Sequence, residues 1–122
     1  MFRTVLAAMA TLAPLTIAAP AMASEFERVQ ERDSFVSLVK GRNLTRLGIR
    51  LQVSQDGDIK GRAFGKDISG DWTWDEGYFC RDLFADGDVL DIKNCQTVEV
   101  RGNTLRFTSD KGTGDSANLR LK

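Results

Sequence analysis

The chain contains no histidine, and every methionine and proline (Met1, Met9, Met22, Pro14, Pro20) lies within the first 22 residues. Cysteine is reduced to one pair, Cys80 and Cys95. Each absence excludes chemistry. Without imidazole, neither a Ser–His–Asp nor a Cys–His catalytic arrangement exists, and no His-ligated metal hydrolase site forms. Fourteen residues separate the cysteines, which is neither a redox nor a zinc spacing, and there is no third Cys. An excess of one charge sign is missing too, because 17 Lys+Arg balance 17 Asp+Glu. Nucleic acid and acidic membrane surfaces both select a strong basic excess, so neither is an expected partner.

Long apolar runs are confined to Val5–Ala19. Arg3 precedes this run and Ala21-Met22-Ala23 follows it as a small-x-small signature, so residues 1–23 read as a secretory signal peptide. The run falls short of the roughly 20 apolar residues that a membrane span needs. The expectation is a periplasmic or secreted protein, with no transmembrane segment after cleavage, folded as a single domain over 24–122. Losing Arg3 leaves that domain with a net charge of −1.

A domain this small buries about 60–70% of the surface of its unfolded chain, so a covalent staple helps it. In an oxidising compartment Cys80 and Cys95 pair as a structural disulfide, worth roughly 3 kcal/mol for a loop of about 15 residues. A free reactive pair is the alternative.

Residues 25–41 form the one convincing helical region. Asp33 or Ser34 is its candidate cap, Phe35, Val36, Leu38 and Val39 form its apolar face, and Gly41 ends it. Phe26 and Val29 fit either a preceding short strand or a first helical turn. From Leu44 the period becomes two: Ile49, Leu51 and Val53 alternate with Arg50, Gln52 and Ser54. Asp56-Gly57 then predicts a two-residue type I′ hairpin turn. Ile59, Gly61 and Ala63 share a face of the return strand. Further strands are expected near 68–74, 78–83, 89–92, 95–101, 104–109 and 117–121, separated by Gly- and Asp-rich turns. The fold class is therefore mainly β: an antiparallel meander of about seven or eight strands with one N-terminal helix, closed into a small barrel or left half-open.

Trp72 and Trp74 lie on the same face of one strand, as core anchors or as a stacking platform for a flat ligand. Tyr78 follows closely. Trp72, Trp74, Tyr78 and Arg81 are the candidate residues for binding a ligand or partner. Charge is segregated along the chain: Asp71–Asp91 holds seven acids against Arg81, and Lys40–Arg62 holds six bases against two acids. Such segregation fits ordinary charged strand faces, or a dipolar surface that orients a partner. Asp86-Gly87-Asp88 lacks the twelve-residue frame of a calcium loop. Gly112-x-Gly114 reads as a wide turn, and Asn43-Leu44-Thr45 matches a glycosylation sequon. No catalytic residue, metal site or cofactor is assigned.

The succession Gly48-x-x-Leu51, Asp56-Gly57-x-Ile59-x-Gly61, Gly70-x-Trp72-x-Trp74, Gly77-Tyr78-Phe79-Cys80-Arg81, Cys95-Gln96 and Gly112-x-Gly114 resembles a family of short exported alphaproteobacterial proteins. Its members often carry the name dihydrodipicolinate reductase. That name implies NAD(P)H-dependent reduction, which requires a Gly-x-Gly-x-x-Gly turn between a strand and a helix. Here Gly112-x-Gly114 is followed by only a short final strand, so the residues and the label disagree. In architecture the chain is also similar to small periplasmic barrel inhibitors of hydrolases. The favoured reading is a non-catalytic binding module, with the reductase and the hydrolase inhibitor as alternatives. The partner, a protein or a small molecule, is unknown.

Overall fold

The computed structural model describes residues 10–14 and 25–122. The proposed signal peptide, apart from the exposed residues 10–14, lies outside the described residues. From Leu44 onward, alternating apolar and polar residues require a sheet with one face turned inward. Eight antiparallel strands meet that requirement by closing on themselves: β2 (Leu44–Arg46), β3 (Ile49–Val53), β4 (Asp58–Ala63), β5 (Lys66–Asp75), β6 (Tyr78–Ala85), β7 (Asp88–Arg101), β8 (Thr104–Thr108) and β9 (Ser116–Leu121). Each strand pairs with its neighbour in sequence, and β9 returns to β2 through Leu44↔Leu121 and Thr45↔Arg120. Asn43 and Lys122 extend that seam with two reciprocal backbone hydrogen bonds of 2.8 and 2.9 Å. The sequence expectation of an antiparallel meander closed into a barrel is met.

Helix α1 (Arg32–Val39) covers one end of the barrel. Phe35, fully buried, meets the rings of Trp72, Trp74, Phe79 and Phe107 at centroid distances of 5.0–6.4 Å. Val39 is buried beside it. Gly41 takes the left-handed conformation expected of it, at φ 69°. The helix is shorter than the sequence suggests. Its N-cap is Glu31, without a side-chain cap bond, and Asp33 and Ser34 sit inside the first turn. The cause lies in β7, which outruns β6 and so offers a free edge. Residues Glu27–Arg28 take that edge as β1, opposite Val100 and Glu99, and the Val29 N–H bonds to the Val98 carbonyl. This resolves the choice left open at Phe26 and Val29 in favour of a strand.

Two local expectations are corrected. Asp56-Gly57 is not a two-residue type I′ turn, because only Gly57 has positive φ (95°). The Ser54 carbonyl accepts the Gly57 N–H and the Ser54 hydroxyl accepts the Asp58 N–H, which widens the turn to four residues. The expected strands at 89–92 and 95–101 are one strand, β7. Its register against β6 shifts by bulging, with Lys93 at φ 53° and its N–H donated to Asp82 Oδ1.

Closure of so small a barrel brings backbones together at Gly61. A Cβ there would overlap the Arg50 carbonyl oxygen and lie 2.8 Å from Leu51 Cα. Gly61→Ala is therefore expected to destabilise the fold by about 1–3 kcal/mol. A urea midpoint equal to wild type would contradict this close approach.

Candidate binding site in the barrel interior

The four candidate residues separate in space. Trp72 and Trp74 belong to the helix-covered end. Their indole N–H groups are spent on backbone carbonyls, of Ser54 at 2.8 Å and Gln30 at 2.9 Å, and both rings pack on Phe35. Tyr78 lies on the outside, with Arg28 and Lys111 over its ring. Arg81 alone of the four lines the cavity inside the barrel.

That cavity measures about 80 Å³, and Leu44, Leu51, Val53, Ile59, Leu83, Phe107 and Leu119 form most of its wall. The period-two pattern supplies these residues, since every second side chain must point inward. Arg81 breaks the pattern: it occupies an inward position of β6 between Phe79 and Leu83, opposite Asn94. Its Nε donates to Gln96 Oε1 at 3.2 Å. Its Nη1 stands 3.4 Å from Asp91 Oδ2 and forms no hydrogen bond. Among the described residues, no other buried side-chain nitrogen or oxygen lacks a partner.

The surrounding polar groups are otherwise satisfied. Asn94 donates to Asp91 Oδ2 at 2.8 Å and to Ser109 Oγ at 3.0 Å, and Gln96 donates to the same Ser109 Oγ at 3.3 Å. Burial pushes the Arg81 pKa down and Asp91 pulls it back up. Starting from so high a value, the guanidinium remains charged at neutral pH. The result is an amphipathic chamber, with apolar carbon on most sides, Arg81 and Gln96 on the polar side, and the unpartnered Nη1 buried behind it. The Arg81 side chain keeps 18% of its exposure and Asp91 45%, while Nη1 itself is buried. Beside Arg81, the first half of β7 is not covered by β8, which pairs with β7 only over Thr97–Arg101. The turn α2 (Ser109–Gly112) lies there instead, with Asp110 and Lys111 left-handed. Gly112-x-Gly114 sits in this β8–β9 connection, as the expected wide turn and not in a strand–turn–helix unit.

Cys80 and Cys95 form the expected disulfide, directly opposite each other on β6 and β7. Asp58, Asp71 and Asp82 line up across β4, β5 and β6. Even so, the described residues contain no group of three His, Cys, Asp or Glu side chains placed to hold a metal ion. No helix among them is long and apolar enough to cross a membrane.

Sequence reasoning missed the polar set around Arg81, namely Asp91, Asn94, Gln96 and Ser109. The available signal was Arg81 at an inward position between the apolar Phe79 and Leu83. Comparison with protein-family models, with curated proteins and with solved structures returns no match.

Proposed function

We propose that this chain is an exported, non-catalytic binding barrel that takes a small apolar group carrying a hydrogen-bond acceptor into its interior. The supporting observation is Arg81 Nη1, a buried charged donor without a hydrogen bond, on a side chain that with Gln96 lines a mostly apolar cavity. Leaving a buried donor unmade costs about 1–3 kcal/mol, and more when it is charged. A ligand oxygen recovers that cost. Asp91 stands 3.4 Å from Nη1 and already offsets part of the guanidinium charge, so a neutral carbonyl suits the site as well as a carboxylate. The cavity is roughly half the size of an apolar cavity that binds benzene, which sets the occupant at a few heavy atoms.

Isobutyramide and isobutyrate serve as probes, with the Arg81 Nε–H and Gln96 side-chain amide signals followed by NMR. The expected result is saturable movement of both signals in the millimolar range, with the Gln96 response lost in Arg81→Met. Signals that stay put with either probe in the folded protein would end this reading. Export has its own check. Protein recovered from the periplasmic fraction is expected to begin at Ser24, and an intact mass that retains residues 1–23 contradicts it.

A further inference from the structure

Between residues 25 and 122 the exposed large hydrophobic side chains are Leu47, Phe64, Val89, Leu90 and Ile92, at 93%, 76%, 63%, 56% and 46% exposure. All five belong to the barrel end opposite α1: Leu47 to the β2–β3 turn, Phe64 to the β4–β5 turn, and the other three to the start of β7. The rest of the described barrel surface shows none. So one-sided a distribution marks an interaction face, not scattered surface carbon.

Charge divides this face in two. Leu47 and Phe64 adjoin one another, since the Phe64 N–H bonds to the Gly48 carbonyl at 2.8 Å and its ring covers Gly48. Around them stand Arg46, Arg50 and Lys66, none of which forms a salt bridge, while Arg62 is engaged by Asp67. Arg50 and Arg62 sit directly opposite each other on β3 and β4, which concentrates positive charge on this half. Val89 and Leu90 are instead flanked by Asp86 and Asp88, also without salt bridges. The two halves are neighbours: the Asp86 N–H bonds to the Asp67 carbonyl, and the Asp67 N–H to Asp86 Oδ1.

We propose that this face pairs with the same face of a second copy of the chain, as a two-fold dimer. An apolar surface with a basic half beside an acidic half is self-complementary under a two-fold axis. Leu47 and Phe64 with their bases meet Val89 and Leu90 with their acids, and the reverse contact forms at the same time. An anionic lipid surface fits the basic half only, and drives Asp86 and Asp88 against phosphate. The dimer accounts for both apolar clusters and for the charges that flank them, independently of what occupies the cavity.

Sedimentation equilibrium on protein expressed from the full coding sequence tests this. Wild type is expected to dimerise, and to do so more weakly as salt rises. Arg46→Asp/Lys66→Asp and Asp88→Lys are each expected to weaken self-association at least tenfold while melting like wild type. An equimolar mixture of the two variants is expected to recover a one-to-one complex, because one now presents acids where the other presents bases. A wild type that stays monomeric at hundreds of micromolar overturns the dimer. So does undiminished association of either variant, or a monomer that co-sediments with phosphatidylglycerol vesicles.

Discussion

Phe35→Ala is expected to destabilise the protein by about 3–5 kcal/mol, the range for removing a buried aromatic ring. The position justifies the upper part of that range. Phe35 has no exposure and touches four other rings, so its removal empties the centre of the cluster that joins α1 to the barrel. The loss has a spectroscopic signature, because Trp72 and Trp74 both lean on this ring. Near-ultraviolet circular dichroism is expected to collapse at temperatures where the far-ultraviolet strand signal persists. Phe35→Leu keeps much of the volume and is expected to restore most of the stability. A Phe35→Ala protein that melts with wild type would show that α1 does not hold the barrel end shut.

The second large effect concerns the disulfide. Cys80→Ser/Cys95→Ser is expected to cost about 2–5 kcal/mol in the oxidised protein, by releasing a 15-residue loop in the unfolded chain. The structure adds a local consequence. Between Asp88 and Asn94, β7 has β6 as its only strand neighbour among the described residues. The bridge clamps the root of that arm, next to Arg81 and Asn94. Hydrogen exchange in the serine variant is expected to rise first over residues 82–94, ahead of the rest of the barrel. Equal thermal stability with and without reductant contradicts the global part of this expectation. Uniform protection across β6 and β7 contradicts the local part.

Much of this architecture is legible in the residues. Alternation from Ile49 to Val53 sets the inward face of β3, and Gly41 sets the end of α1. Where sequence reasoning fails, a contact distant along the chain decides the outcome. The start of α1 moves to Arg32 because β7 projects past β6 and recruits Glu27 and Arg28, and nothing near residue 27 records that edge. The Asp56-Gly57 turn widens because the Ser54 carbonyl also serves the Trp72 indole, eighteen residues away. β7 reads as two strands because Ile92 and Lys93 break the alternation, while the bulge that absorbs them depends on Asp82 across the hairpin. The site is the least legible part. An arginine between Phe79 and Leu83 marks an inward position, but its poverty of partners depends on Asp91, Asn94, Gln96 and Ser109 arriving from elsewhere.

The seam between β2 and β9 has a consequence for how the molecule is made. A polypeptide emerging amino end first, from a ribosome or through a translocation pore, carries β2 early and must wait for the last strand before the cylinder can shut. Until then the edge of β2 that β9 covers stands unpaired, with Leu44 beside it. The topology thus delays closure of the cylinder until β9 has arrived.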